Sequence, residues 1–371
     1  MAQSESVMHA TTKYDEQLAK RNTNEAFDVE AWYRIIQDQT FSTQFIPISI
    51  DQAQAFVHFF ETRYTSTKSL DPNDIVLLEF IEKQLKEQVF NSTSKNFFVR
   101  LSARSPKDGK PLNTQIINRI YQEKLADLQK THSNEYDTVQ GKANMQLIAS
   151  YYAQFHSLKV TNEIETLNLI LSSERIYYDL NEVLDCEKVN HTWNNHIIVR
   201  EWNDRLDPSM EFRCFVYQSK LTAISQYNHY CKYYHLQDAN TIQRIKSTIA
   251  RYWQTKIQPL LDPFPEKYAN YVIDIGLIGD QFDCIVIEMN PFHSTTNPSL
   301  FDWTTDNGIL RGDGHETEIR VRLEYYPYVE DYINFILELN NCSEEPRDNS
   351  RTTNERLQPY FVFLEKIKTR P

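Results

Sequence analysis

The chain has 371 residues, of which 40% are hydrophobic and 13% aromatic, and this composition excludes an intrinsically disordered protein. Its 39 basic and 51 acidic residues give a net charge of −12, opposite in sign to that of a typical nucleic-acid-binding domain. The length allows two or three structural units.

The cysteines, apolar runs and glycines restrict the compartment and the type of nucleotide site. No apolar run approaches the roughly 18 residues needed to cross a bilayer, and the N-terminus lacks the apolar stretch of a secretory signal. The seven glycines form no Rossmann or Walker phosphate loop. We therefore expect a cytoplasmic protein without a membrane segment. The five cysteines show neither C-x-x-C nor zinc-ligand spacing, which indicates a reducing compartment. They are Cys186, Cys214, Cys231, Cys284 and Cys342.

The N-terminal half is predicted to be mainly helical. Apolar residues recur at helical spacing over 75–91 and predict an amphipathic helix. The segment FFVRLSARSPKDG at 97–109 predicts a strand that runs into a loop, because Ser-Pro-Lys-Asp-Gly favours a turn. Residues 114–130 and 143–185 are predicted to be helical, with the polar stretch 131–142 as a mobile connection.

The following part of the chain is predicted to be rich in β-strands. The runs 196–202, 211–217 and 221–227 combine β-branched and aromatic residues, as strands do. Gln218, Ser219 and Lys220 are predicted to form a three-residue hairpin loop between the last two runs.

A predicted helix over 242–257, ended by Pro259, leads to a second predicted hairpin over 271–291. Glu288 and Asn290 are two residues apart on its second strand, so both side chains project from one face. Burial of a carboxylate among such apolar residues costs free energy unless the carboxylate is paired or binds a cation. One interpretation is a magnesium site, and the other is a solvated sheet face.

Asp274, on the first strand of this hairpin, joins the same face only if the loop has an odd number of residues. A three-residue loop, 279–281, would place Asp274 opposite Val286 and diagonal to Glu288. Two carboxylates and an amide oxygen are ligands suited to magnesium with phosphate. Because such carboxylates repel each other, we expect Asp274→Ala to leave the ligand-free protein folded.

Three arginines lie within predicted strands, where a phosphate-binding site would need cations. Arg100, Arg200 and Arg213 are each flanked by residues expected to be buried. A strand arginine taken alone is more often a surface or salt-bridge residue. Their association with a carboxylate cluster favours phosphate binding.

Five segments of the chain form a recognisable set of motifs. They are AWYRIIQDQTFSTQFIPIS at 31–49, SPKD at 105–108, REWNDRLDPSMEFRCFVYQSKLTAISQYNHYCKYY at 200–234, YVIDIGL at 271–277 and VIEMNPFHSTTNPSLFDW at 286–303. With these motifs the whole chain resembles the cell division cycle protein 123 family, as a divergent member. The resemblance implies an α+β, ATP-grasp fold, in which ATP and magnesium lie between two lobes, with helical N-terminal and inserted regions in addition.

Residue by residue, the resemblance implies a ligand set for magnesium and one for ATP. The metal ligands are Asp274, Glu288 and Asn290. Val199 and Arg200 would mark the strand whose backbone meets adenine. The chain departs from the family where Arg100 replaces a lysine and Glu288 an aspartate, and the 109–160 region is longer. The implied ATP contacts are Arg100, Arg104, Lys107, Val199, Arg200, Arg213 and Asp274.

The predicted organisation has four parts. These are a flexible N-terminus at 1–24, a helical region with the smaller lobe at 25–195, a larger lobe with the metal site at 196–340, and a C-terminal segment at 341–371.

The resemblance leaves two hypotheses of function. In the first, the protein is an ATP-dependent assembly chaperone for eukaryotic translation initiation factor 2, whose γ subunit would be its partner. In the second, it is an ATP-grasp ligase that activates a carboxylate or an RNA end by phosphoryl or adenylyl transfer. RNA would be a partner only in the second case.

Overall fold

A computed structural model of the chain describes 25–65, 70–92, 95–112, 114–190, 193–314 and 316–327. The predicted terminal segments 1–24 and 341–371 lie outside the described residues. Contacts divide the described residues into two units. The first unit contains 25–42, 120–152 and 203–327, and the second contains 43–119 and 153–202.

The elements are numbered here in chain order. The helices are α1 Val29–Ile36, α2 Ile50–Phe60, α3 Pro72–Gln88, α4 Thr114–Thr131, α5 Ser133–Tyr136, α6 Val139–Ser157, α7 Glu163–Ser172, α8 Glu174–Asn190, α9 Ala239–Tyr252, α10 Gln258–Leu261, α11 Pro265–Tyr268 and α12 Asn307–Arg311. The strands are β1 Thr43–Pro47, β2 Phe97–Leu101, β3 Lys159–Val160, β4 His196–Glu201, β5 Leu206–Tyr217, β6 Lys220–Gln226, β7 Tyr271–Ile278, β8 Asp283–Pro291 and β9 Glu318–Arg320. Short 3-10 or π turns occupy Gln37–Gln39, Glu61–Thr65, Phe90–Ser92, Tyr234–Leu236 and Trp253–Ile257.

The second unit is a four-stranded antiparallel sheet with helices packed against it. Its strand order is β1-β4-β2-β3, so β4 is paired on both sides. Buried aliphatic and aromatic residues of α2, α3, α7, α8 and the strands form one core. The start of α2 is fixed by a capping box, in which Ser49 Oγ accepts from the Gln52 amide (3.2 Å) and Gln52 Oε1 accepts from the Ser49 amide (2.8 Å).

The first unit contains a five-stranded sheet in the order β8-β7-β5-β6-β9, antiparallel except for the last pair. All eight residues of β7 are buried, which explains why its sequence, YVIDIGLI, is almost continuously apolar. On one face of β7, the Tyr271 hydroxyl accepts a 2.9 Å hydrogen bond from the Trp253 indole. Asp274 lies on the opposite face, because side chains alternate along a strand.

The two units are not contiguous in sequence, unlike the predicted lobes 25–195 and 196–340. Strand β4 lies in the sheet of the second unit because β1 and β2 pair with its two edges. The segment 25–42 belongs to the first unit, where Thr40 Oγ1 donates to the Val286 carbonyl (2.7 Å).

Most predicted elements are present, but several details of the sequence interpretation are wrong. The stretch 131–142 contains α5 and the start of α6 instead of a mobile connection. The predicted helical region 143–185 is interrupted by β3 at Lys159–Val160. Pro259 does not end the helical region, because a proline is tolerated in a first helical turn and here it stands in the first turn of α10.

The hairpin loop between β5 and β6 is one residue shorter than predicted. Tyr217 pairs with Lys220, so Lys220 belongs to β6 and the loop contains only Gln218 and Ser219. Both loop residues have positive φ, 49° and 55°, as a two-residue turn that follows the twist of the strands requires.

We expect the double substitution Gln218→Asn, Ser219→Gly to raise the free energy of unfolding by about 1 kcal/mol, because these residues adopt positive φ more readily. Urea unfolding measures the change. Ser219→Ala, which keeps a Cβ in the same strained position, should give no gain. A gain of equal size in the alanine variant would contradict this explanation.

Within the described residues, no helix combines the length and apolar character that a membrane crossing requires. The described cysteines Cys214, Cys231 and Cys284 are free thiols.

Candidate functional site

Charged side chains form a row across three neighbouring strands of the first unit. Arg213 on β5 is directly opposite Asp274 on β7, and Asp274 is directly opposite Glu288 on β8. Directly paired residues project from the same face of a sheet. The structure therefore brings together three of the residues that the sequence analysis selected, and Asn290 lies on the same face two residues beyond Glu288.

The register that produces this row differs from the predicted one. Ile278 pairs with Asp283, so the loop has four residues instead of 279–281. An even loop alone would turn Asp274 away from Glu288, but the register shifts by one residue between Asp274 and Ile275. This β-bulge inserts one extra residue in β8, Ile287, and restores the common face. Asp274 consequently lies opposite Glu288, and not opposite Val286 as predicted.

Arg213 and Asp274 form a bidentate ion pair inside the sheet. Nε and Nη2 of Arg213 donate to the two carboxylate oxygens of Asp274, each at 2.8 Å. Arg213 is 5% exposed and Asp274 is 0% exposed. Two further groups hold the guanidinium: the Asn297 carbonyl accepts from Nη1 at 2.6 Å, and the Tyr227 ring centroid lies 4.8 Å from its central carbon.

The electrostatics of this pair keep the Arg213 guanidinium charged. Burial by itself lowers the pKa of Arg213, but the charge and hydrogen bonds of Asp274 outweigh it and raise the pKa above its ordinary value. Glu288 contributes to the raised pKa in the same direction, with a smaller effect.

The oxygen donors of this row suit a hard divalent cation. Asp274 and Glu288 supply carboxylates from adjacent strands, and Asn290 approaches Asp274 through its amide nitrogen, 3.4 Å from Oδ2. A 180° rotation of this amide would present its oxygen to a metal instead. No group of three His, Cys, Asp or Glu side chains able to hold a metal occurs in the described part of the chain, and the predicted set has only two carboxylates.

The sequence analysis missed the groups that position Arg213. Asn297 lies in the loop after β8, where Trp303 Nε1 donates to the Thr296 carbonyl at 2.7 Å and anchors the backbone beside Asn297. Tyr227 follows β6 directly, and the sequence analysis included it only as the last residue of a predicted strand. The sole signal in the sequence was a strand arginine that needed partners.

In the second unit, the predicted arginines are engaged locally. Arg100 is 3% exposed and donates to the carbonyls of Leu101 (3.1 Å) and Ala103 (3.0 Å) in the loop that follows its strand. The Arg104 side chain is 46% exposed, and its Nε lies 3.4 Å from a carboxylate oxygen of Asp179. Their assignment to ATP stays a prediction, and of the two Arg104 has the more accessible guanidinium.

Val199 and Arg200 lie in the centre of the four-stranded sheet. Val199 pairs with Gln44 on one side and with Val99 on the other, so its backbone hydrogen-bonding groups face partner strands. Both residues are buried. A backbone contact with adenine at these positions stays a prediction.

Lys107, one of the implied ATP contacts, lies in the loop that the sequence predicts as a turn after β2. Asp108 accepts hydrogen bonds from the Ser173 hydroxyl and from the Arg175 amide in the first turn of α8. The Lys107 carbonyl accepts a hydrogen bond from the side-chain amide nitrogen of Gln154, Nε2, at 3.3 Å. The turn interpretation therefore fits this loop, because its backbone is held by the helices beside it.

We expect Asp108→Ala to lower the free energy of unfolding by about 1 kcal/mol, because two donors at the start of α8 lose their acceptor. Urea unfolding measures the loss. Asp108→Asn keeps one oxygen acceptor and should lose less. Equal stability of the alanine variant and the unmodified protein would contradict a role for Asp108 in holding the loop.

Comparison with known proteins decides the family. The sequence profile of the D123 family matches residues 32–325, most of the chain. The chain belongs to the D123 family. The expected resemblance to cell division cycle protein 123 is confirmed, since a relative from Candida glabrata bears that name and is 29% identical over 168 residues, 44% of this chain and 45% of the relative.

Other relatives carry a functional name. The "translation initiation factor eIF2 assembly protein" of Danio rerio is 32% identical over 161 residues, 42% of this chain and 43% of the relative. The protein of the same name from Dictyostelium discoideum is 30% identical over 159 residues, 42% of this chain and 38% of the relative. The chain thus spans less than half the length of these curated relatives.

A solved structure shares the fold. C-terminally truncated Cdc123 from Schizosaccharomyces pombe superposes with a TM-score of 0.52 at 22% sequence identity, covering 80% of this chain and 95% of the solved chain. This likeness supports the mixed α+β fold that the sequence analysis predicted.

Proposed function

We propose that this protein binds ATP with magnesium and assists the assembly of eukaryotic translation initiation factor 2 through the γ subunit of that factor. The assembly role is supported by membership of the D123 family over residues 32–325 and by the names of the relatives. The observation that carries the nucleotide part is the row of Arg213, Asp274 and Glu288 in register on three strands.

In this proposal, the acidic residues of the row bind the cation and the arginine binds a phosphate group. Asp274 and Glu288, with the Asn290 amide turned, would hold magnesium, which when bound neutralises phosphate charge. Arg213 has five N–H groups, of which three bond Asp274 and Asn297. The remaining two are the proposed donors to a phosphate oxygen. The buried Asp274 holds Arg213 in one orientation, so the donors are fixed before the nucleotide arrives.

The assembly role is tested by association with the purified γ subunit. We expect the full chain to bind this subunit at micromolar concentration, and more tightly with magnesium and a non-hydrolysable ATP analogue, because binding of the analogue favours one conformation. Glu288→Gln should remove the effect of the analogue. Arg205→Ala, which changes an exposed arginine in the turn before β5, should keep it.

Two outcomes would overturn the proposal. Absence of association with or without the analogue would contradict the assembly role. If ATP cleavage were stimulated by a carboxylate or RNA acceptor and no association occurred, the ligase hypothesis would replace it, with ATP binding retained.

A further inference from the structure

The first unit contains a cavity of about 310 Å³ that shares no residue with the row of Arg213, Asp274 and Glu288. Helices α4 and α6 form one side of it, and the start of β5 and the 3-10 turn Tyr234–Leu236 form the other. The helical side belongs to the 109–160 region, which the sequence analysis identified as longer than in familiar family members. The proposed function assigns no task to this cavity.

Aromatic rings are the main feature of the cavity wall. Two of them lie together, because the centroids of His132 and Tyr234 are 4.2 Å apart. Burial lowers the pKa of His235, so this imidazole is neutral at pH 7. The faces of tyrosine rings carry partial negative charge and attract cations. The rings that line the cavity are His132, Tyr152, Tyr233, Tyr234 and His235.

The charged groups of the wall carry an excess of negative charge. Asp127 and Asp207 supply two carboxylates, and Lys124 supplies one ammonium group. Burial, followed by the charges of Asp207 and Asp127, raises the pKa of Tyr152, which places the field of both carboxylates at this ring. Asp127 is exposed and Asp207 is half-buried, so the negative charge extends from the solvent side into the cavity.

Lys124 shows which ligand chemistry the wall accepts. Its Nζ lies 4.5 Å from the centroid of Tyr152, in a cation–π contact. One side chain of the chain itself thus already brings an ammonium group to a ring beside two carboxylates. We infer that this cavity binds an organic ammonium ion, and that Lys124 competes with it for the face of Tyr152.

An ammonium group of this kind comes either from a free small amine or from a lysine side chain of a peptide. Titration of the full chain with butylamine and with Nα-acetyl-lysine methylamide, followed by ligand-observed NMR at pH 7, distinguishes the two sources. Pentanoate, a chain of similar length with the opposite charge, is the control ligand. We expect saturable binding of at least one ammonium probe and none of pentanoate.

Variants of the charged residues test whether negative charge in the cavity favours ammonium binding. Asp207→Asn keeps the oxygen that accepts from the Ser209 amide (2.8 Å) and should weaken ammonium binding about tenfold, because it removes a carboxylate from the site. Lys124→Met should strengthen binding several-fold, because it removes the competing ammonium group. Asp280→Asn is the matched control, since Asp280 is an exposed carboxylate outside the cavity wall and should change the affinity little.

The outcomes separate the alternatives. Tight binding of the lysine derivative alone would identify a peptide as the source of the ammonium group. If butylamine bound as tightly as the lysine derivative, a free amine would be identified as the source. Preferential binding of pentanoate would show an anion site and overturn the inference. Weaker ammonium binding in Lys124→Met would contradict the competition between Lys124 and the ligand and would also overturn it. No saturable binding of either ammonium probe to the folded protein would also overturn it. Association with initiation factor 2 is measured separately, so failure here leaves the proposed function standing.

Discussion

Replacement of Arg213 by alanine is expected to lower the free energy of unfolding by roughly 3–5 kcal/mol, because it leaves a buried carboxylate without its partner. Asp274 is fully buried, and both of its oxygens accept from Arg213 at 2.8 Å. A carboxylate left in this position loses its compensating charge and both hydrogen bonds from Arg213.

Urea unfolding of the ligand-free protein measures this effect. Arg205→Ala is the matched control, because Arg205 pairs with Asp283 at 3.9 Å and their side chains are 67% and 70% exposed. Such a pair contributes little, so this variant should unfold like the unmodified protein.

A double variant separates loss of the partner from loss of packing. Arg213→Met with Asp274→Leu removes both charges and keeps apolar volume, so it should be more stable than Arg213→Ala. If Arg213→Ala unfolded like Arg205→Ala, the buried pair would have no structural role.

The ion pair also reverses an expectation from the sequence. Asp274→Ala was expected to leave the ligand-free protein folded, because the sequence suggested only repulsion between neighbouring carboxylates. In the structure, Asp274 compensates Arg213, so its removal leaves a buried guanidinium unpaired and destabilises the protein. The β5–β7 pairing joins residues 61 positions apart, and local patterns carry no information about such a register.

The local elements could be predicted better than their assembly. The helix α3 and the strand β2 follow from apolar spacing and turn residues that lie within a few positions of each other. The common face of Asp274 and Glu288 was predicted through a three-residue loop, whereas a four-residue loop and a bulge at Ile287 produce it. A bulge produces no clear change in the sequence pattern of a strand. The register of β7 and β8 therefore could not be predicted from the sequence.

The division into two units could not be predicted from the sequence for a similar reason. Nothing local in β4 shows that its partners are β1 and β2, which precede it by about 150 and 100 residues respectively. The chain returns to the first unit at Asn203, directly after this strand. A boundary drawn where helices give way to strands therefore separated β4 from its own sheet.

Glu288→Gln is expected to abolish most of the magnesium-dependent stabilisation by ATP and to leave the ligand-free protein folded. Glu288 is half-buried, and Asp274 still pairs with Arg213 when this carboxylate is lost. At an ATP concentration 100 times Kd, the unmodified protein should gain about 2.7 kcal/mol. A hundredfold weaker Kd would reduce this gain to about 0.4 kcal/mol at the same concentration.

Asp283→Asn provides the control for this measurement, since Asp283 is an exposed carboxylate at the start of the same strand. It removes one negative charge from β8 without touching the proposed ligands, so the ATP-dependent shift should remain. Thermal unfolding with ATP is recorded with magnesium and with EDTA for each variant. Because the proposed role of Glu288 is to hold the cation, its loss should affect the magnesium series and leave the EDTA series unchanged. An undiminished shift with magnesium in Glu288→Gln would remove this residue from the proposed metal site.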